Sequence, residues 1–182
     1  TIADDELVKV TPAALQYSND AGFVSGSYFR LKDILKVMLV SSSNTAANII
    51  ASSIGAENSI DAFVLKMNTV AGNIGMENSS FKNPTGLDEN NETVASNFGS
   101  ARDVARLFEY TLKNYQEILE STQETALTVH SREGYAHKAV NTNNIVGDLP
   151  NIIGSKTGYT DIAGGNLAVA IDPGLNTPVI IV

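Results

Sequence analysis

The chain contains no cysteine. That excludes a disulfide framework, thiol catalysis and thiolate metal sites, while leaving the compartment open. Histidine occurs only at His130 and His137, too few for a metal cluster. Both read as hairpin residues facing each other or solvent. Positive charge is scarce: 12 Lys and Arg stand against 20 Asp and Glu, a net charge of −8. Without a basic stripe to neutralise phosphates, nucleic acid is excluded as a partner. The sign is also wrong for adhesion to anionic lipid. No apolar run is long enough to span a bilayer and no secretory signal is present, so membrane attachment is expected only through segments outside this chain. Internal repeats, heptads and low-complexity tracts are lacking too.

What is present is material for one folded unit. Hydrophobic residues make up 43% and charged residues 18% of 182, enough to bury a core. Leu31, Ile34, Leu35, Met38 and Leu39 recur at helical spacing up to Val40. A polar break follows at 41–44, then a second helix over 45–54, rich in Ala46, Ala47 and Ala51, stopping at Gly55. A third helix is expected over about 59–71, with Ile60, Phe63, Val64 and Met67 on one face. Residues 72–98 read as loop, with 88–92 a solvated acidic stretch. Ser100 is placed to cap a helix carrying Val104, Leu107, Phe108 and Leu112 inward, with Asp103 as a charge at its positive end. The period then switches to two, predicting a hairpin of 125–129 and 136–140 across Glu133-Gly134. Three apolar strands are expected near 150–157, 165–171 and 178–182. Helices before strands predict an α+β fold with an antiparallel sheet, a single partial domain over 1–182, its helical lobe about 31–120 and its C-terminal strands about 150–182. The missing initiator Met and the β-branched run Val179-Ile180-Ile181-Val182 read as a fragment of a longer protein.

Two polar stretches carry candidate chemistry. Gly154-Ser155-Lys156-Thr157-Gly158-Tyr159-Thr160 interrupts an apolar strand. Lys156 offers a cation, Thr157 a hydroxyl, and Gly158 room for another backbone to pair with the strand. Together they suit an extended peptide ending in a carboxylate. Far upstream, Ser42-Ser43-Asn44 sits at the break between two apolar helices. It reads either as a helix N-cap or as a hydroxyl and a carboxamide projecting into a cleft. A Ser-x-Asn element followed by Lys-Thr-Gly belongs to the signature of serine acyl-enzymes that bind penicillin.

The order and identity of several stretches resemble the D-alanyl-D-alanine carboxypeptidases among the low-molecular-mass penicillin-binding proteins. These stretches are Leu39 to Ala47, Asn83-Pro84-Thr85-Gly86-Leu87-Asp88, Ser100 to Ala105, and above all Lys156 to Leu167. The resemblance implies a penicillin-binding protein/β-lactamase-like fold, an antiparallel sheet with a helical lobe. It also implies a Ser-x-x-Lys nucleophile upstream of Ser42, where the chain has none. The one such spacing, Ser79-Ser80-Phe81-Lys82, lies downstream in a loop. The nucleophile helix and N-terminal strands are therefore expected outside this chain, and the fragment itself is expected to be inactive.

For the whole enzyme, the resemblance implies acylation of a serine by a peptidoglycan stem peptide, loss of the terminal D-Ala, and hydrolysis. Ser42 would relay a proton to the leaving amine, and Asn44 would hold the substrate amide. Lys156 would keep a positive field over the cleft, and Thr157 would bind the terminal carboxylate. Gly158 would admit the peptide, and the Tyr159 amide would share the oxyanion. β-Lactams would be trapped at the same step, and no cofactor or metal is implied. The implied location is extracytoplasmic, in the periplasm or at the cell-envelope surface, with the parent protein membrane-anchored. Alternatives are a β-lactamase of the same fold, with Glu89 or Glu92 near the loop as its acid, or a non-catalytic peptidoglycan-binding module.

Overall fold

The structure is a computed structural model describing residues 5–16, 22–54, 59–89, 93–174 and 177–182. Strand β1 (Leu7–Lys9), a 3-10 turn (Ala13–Leu15) and β2 (Tyr28–Arg30) lead into helices α1 (Leu31–Ser41) and α2 (Asn44–Ile54). Helices α3 (Ile60–Asn73), α4 (Ala101–Asn114) and the short α5 (Glu117–Glu120) follow, then a 3-10 turn at Ser121–Gln123. The chain continues as β3 (Ala126–His130), β4 (Ala136–Val140), β5 (Ile152–Thr160), β6 (Gly164–Ile171) and β7 (Val179–Ile181).

Two cores organise these elements. In the first, β1 and β2 pair antiparallel and turn Val8 and Phe29 inward at facing positions. Helix α1 adds Leu31, Ile34, Val37 and Val40, with Leu35 and Met38 half-buried beside them. That stripe is rotated slightly from the expected 31, 34, 35, 38 and 39. Helix α2 is buried continuously from Thr45 to Ala51, which its small side chains permit. Val129 and Ala139 close this core from the β3–β4 hairpin. The second core joins Phe108 of α4, Leu119 of α5, and Ala168 and Ala170 of β6. Here backbones approach closely: a Cβ on Gly154 would lie 2.7 Å from that of Leu119.

The α+β reading and the order of elements hold. Among the described residues the strands form three antiparallel sheets, β1–β2, β3–β4 and β5–β6–β7, where one was expected. The first two pack on the α1–α2 core, whereas β5–β7 pack on α4 and α5. The element β2, both 3-10 turns and α5 were not foreseen. Helix α3 starts at its Ser59 cap, but Ile60, Phe63, Val64 and Met67 are only half-buried. Leu107 is likewise 36% exposed, so the inward face of α4 is Val104, Phe108 and Leu112. Gly55 and residues 90–92, with Glu92, lie outside the described residues. No helix among the described residues is long and apolar enough to cross a bilayer.

Three polar expectations are corrected. His137 faces neither His130 nor solvent; it is 1% exposed and stacks on Phe23 with centroids 4.2 Å apart. The register explains this, because β4 turns His137 and Ala139 inward and pairs His130 with Ala136. Asp103 is more than a helix-start charge. It is fully buried and accepts from the Asn78 N–H at 2.7 Å and the Ser79 hydroxyl at 2.9 Å, fastening the loop to α4. Burial pushes its carboxyl up, but these bonds, Ser100 and Arg106 outweigh that and hold it below its ordinary value. Asp88 is half-buried rather than solvated and accepts from the Ser96 N–H.

Candidate active site

The break between α1 and α2 divides its labour between two serines. Ser43 caps α2: its hydroxyl accepts from the Ala46 N–H at 2.9 Å. Ser42 closes α1 with left-handed backbone angles, φ 55° and ψ 38°. That turn leaves its side chain exposed. Asn44 begins α2 and is half-buried at the cleft.

Strand β5 supplies the opposite wall. It pairs on one edge with β6, placing Lys156 opposite Ala168, Thr157 opposite Leu167 and Gly158 opposite Asn166. The start of its other edge is occupied by side chains: Gln123 donates to the Ile153 carbonyl at 2.9 Å, and the Thr122 hydroxyl accepts from the Ser155 N–H at 3.0 Å. Backbone groups of alternate residues point to one edge, so the Thr157 and Tyr159 amides face the same side as that of Ser155. Among the described residues no strand pairs with that edge, though its Thr157 carbonyl accepts from Lys156, and on the face of the strand nothing lies within 4 Å of where a Gly158 side chain would start.

The two walls meet through Lys156. Its Nζ donates to the Ser42 hydroxyl at 2.6 Å and to the Thr157 carbonyl at 2.5 Å. Burial of its ammonium lowers its pKa from the ordinary 10.5 to about 8. The Thr157 hydroxyl lies 2.6 Å from that of Thr142. Tyr159 is 73% exposed at the rim, its hydroxyl donating to Asp161 at 3.2 Å. Ser42, Asn44, Lys156, Thr157, Gly158 and Tyr159 therefore all line one cleft of about 370 Å³. A larger cavity, about 910 Å³, lies beside β1 and β3, but its lining mixes Asp33, Lys36, Glu120 and Arg132 and carries neither motif.

A third wall was not anticipated. Thr85, Gly86 and Leu87 face Lys156 and Thr160 across the cleft. They are held by Asn83, whose Oδ1 accepts from the Gly86 N–H at 2.7 Å and the Thr85 N–H at 3.1 Å. Its Nδ2 donates to the Leu87 carbonyl at 2.8 Å and to the Ser96 hydroxyl at 3.0 Å. The sequence signal was an Asn-Pro-Thr-Gly turn, which marks a loop and not its target. By contrast Ser79, of the downstream Ser-x-x-Lys, donates to Asp103, while Lys82 lies 3.9 Å from Glu89. They form no nucleophile–base pair.

This arrangement can fix an anionic ligand end near a buried cation, offer an open strand edge to an extended backbone, and move a proton along the Ser42–Lys156 contact. The family described as D-alanyl-D-alanine carboxypeptidase, peptidase S11, matches residues 1–182. A D-alanyl-D-alanine carboxypeptidase of Bacillus subtilis, DacF, is 33% identical over 163 residues, covering 84% of this chain and 40% of that protein. A D-alanyl-D-alanine endopeptidase of Escherichia coli is 37% identical over 136 residues, covering 73% and 41%. The chain thus spans about two fifths of the length of these curated relatives. A crystal structure of a D-alanyl-D-alanine carboxypeptidase from Mycobacterium tuberculosis superposes with a TM-score of 0.82 at 28% identity, covering 94% of this chain and 62% of that one. The fold is that of the DD-peptidases and penicillin-binding proteins.

Proposed function

The chain belongs to the D-alanyl-D-alanine carboxypeptidase family, and from that premise we propose that its cleft binds the acyl-D-Ala-D-Ala end of a peptidoglycan stem peptide. The whole protein is then a serine-type carboxypeptidase that releases the terminal D-Ala through an acyl-enzyme. The observation that carries this reading is the 2.6 Å contact between Lys156 Nζ and the Ser42 hydroxyl, made from opposite walls of one cleft.

Each residue has a role its geometry supports. Ser42, hydrogen-bonded to a lysine whose pKa is pulled to about 8, relays a proton toward the leaving amine. Asn44 holds the substrate amide from the first turn of α2. Lys156 maintains positive potential over the cleft. Thr157 receives the terminal carboxylate, and Gly158 leaves space for the peptide backbone. The Tyr159 amide, on the open edge, is one oxyanion donor; such a donor is worth about 10²–10³ in rate. The nucleophile belongs to sequence outside these residues, since no Ser-x-x-Lys precedes Ser42. β-Lactams are captured by the same serine. The location is extracytoplasmic, with attachment to the membrane through other segments of the protein. A β-lactamase is less well supported, because Glu89 is exposed beside Lys82 and is not among the residues lining the cleft.

Fluorescent penicillin tests the reading. The full-length protein should be labelled, the 182-residue chain should not, and Lys156→Ala should reduce labelling at least a hundredfold. Covalent labelling of any serine within the chain, or normal labelling of full-length Lys156→Ala, overturns it.

A further inference from the structure

Resting on the reading above and deepening it, we propose that Thr142 is a substrate-binding residue: its hydroxyl pairs with that of Thr157 to select a peptide ending in a free carboxylate over one continuing as an amide. Thr142 is the centre of the tripeptide Asn141-Thr142-Asn143, directly after β4. Both neighbours are fastened away from the cleft. The Asn141 amide group donates to the carbonyls of Thr122 at 2.9 Å and Glu124 at 2.8 Å. Its Oδ1 accepts from the Asn143 N–H at 2.8 Å. Asn143 is 4% exposed, and its Nδ2 donates to the Ser155 hydroxyl at 3.0 Å.

Between these anchors Thr142 is exposed and lines an adjoining pocket of about 520 Å³, which shares Ser42, Thr157, Gly158 and Tyr159 with the cleft. Its own N–H donates to the Val40 carbonyl at 3.0 Å, two residues before Ser42. The backbone at 142 is therefore pinned to the end of α1 while its hydroxyl lies 2.6 Å from that of Thr157 on β5. An exposed side chain so firmly framed has a fixed direction, and that direction is toward the residue assigned to the carboxylate.

Proton counting gives the selectivity. Each threonine hydroxyl carries one proton. In the empty cleft one hydroxyl donates to the other, and the Thr142 hydroxyl also lies 3.5 Å from the Val40 carbonyl, so at most one proton is left to offer outward. A carboxylate brings two accepting oxygens and a charge, so both hydroxyls can turn and donate, one to each oxygen. A carboxamide or a continuing peptide bond brings one uncharged carbonyl oxygen and an N–H, so the two hydroxyls share that oxygen or one accepts from the N–H, and both charge-assisted bonds are lost. The pair thus favours removal of a terminal residue over cleavage within a cross-linked peptide.

The test titrates the 182-residue chain with diacetyl-L-Lys-D-Ala-D-Ala and, separately, with its C-terminal carboxamide, following the Thr157 and Tyr159 amides by NMR. The parent sequence should bind the acid more tightly. Thr142→Val, which keeps the shape and the backbone bond to Val40, should weaken the acid about tenfold or more and the carboxamide by clearly less. Thr142→Ser should restore the acid to within about threefold. Thr157→Val should lose the same preference, which keeps the test decisive if Thr142→Val does not fold. If the parent sequence prefers the acid and Thr142→Val retains that preference, the assignment of Thr142 fails alone. Equal weakening of both peptides overturns it too. If the parent sequence binds neither peptide, the reading of the cleft fails, and Thr142 with it.

Discussion

The Lys156 ammonium donates to the Ser42 hydroxyl at 2.6 Å across 114 positions of sequence. One partner sits on a nine-residue strand and the other on a helix terminus, so neither can move far without shifting its element.

Lys156 makes stability depend on alkaline pH. Its folded-state pKa of about 8 lies below the ordinary 10.5, so the unfolded chain binds the proton more tightly. Stability from this group is therefore lowest below about 8 and rises with pH toward 10.5. Denaturant midpoints measured between pH 7 and 11 should show that rise, and Lys156→Met should remove it. A rise unchanged in Lys156→Met would assign the effect elsewhere.

Ser42 holds a left-handed conformation, φ 55° and ψ 38°, which costs a non-glycine residue about 1–2 kcal/mol. Ser42→Gly and Ser42→Ala both lose the bond from Lys156, but only glycine relieves the strain, so the Gly variant should be the more stable of the two by about 1 kcal/mol. Ser42→Ala keeps the strain and gains nothing. Urea midpoints at constant slope compare the three, and a Gly variant no more stable than the Ala variant contradicts the strain.

Asn83 supports the third wall through both ends of its carboxamide. Asn83→Ala should destabilise the chain by about 1–3 kcal/mol and speed hydrogen exchange at Thr85 and Gly86. Asn83→Asp keeps the acceptor and should protect those two amides better than Ala does. Unaltered exchange in the Ala variant would show that the wall stands without it.

Gly154 has no space for a side chain, its Cβ position lying 2.7 Å from Leu119 Cβ and 3.1 Å from the Thr122 hydroxyl. Gly154→Ala should cost about 1–3 kcal/mol by forcing β5 from α5. A wild-type melting temperature for this variant would mean that the contact relaxes freely.

Asp103 governs the acid side. Its carboxyl is held below the ordinary 3.8, so its contribution is present above that value and is lost as pH falls through the lowered one. Asp103→Asn should lower stability at neutral pH and flatten the acid limb of the pH profile. An acid limb as steep as that of the parent chain would exclude Asp103 as its source.

Local pattern revealed more of this molecule than its long-range pairings. The helical spacing of α1 and the small residues of α2 were readable because they answer to a nearby period. Ser42 and Lys156 were readable because their triplets resemble a known signature. His137 was misread because its partner, Phe23, lies in a distant irregular segment that no period announces. Thr142 went unnoticed for a related reason: an Asn-Thr-Asn triplet reads as an ordinary turn until β5 is folded against it. The rotation of α1 and the division into three sheets follow from packing across elements, which composition does not record.

The half-occupied margin of β5 has a consequence for what can travel along it. From Lys156 to Thr160 an added strand has five residues of track, about 16 Å. Just beyond, Thr122 and Gln123 already hold the backbone of Ser155 and Ile153, and the track becomes a blind alley. A guest can slide in only until its tip meets that barrier, so this groove measures where a peptide stops and gives a long filament no way to thread through.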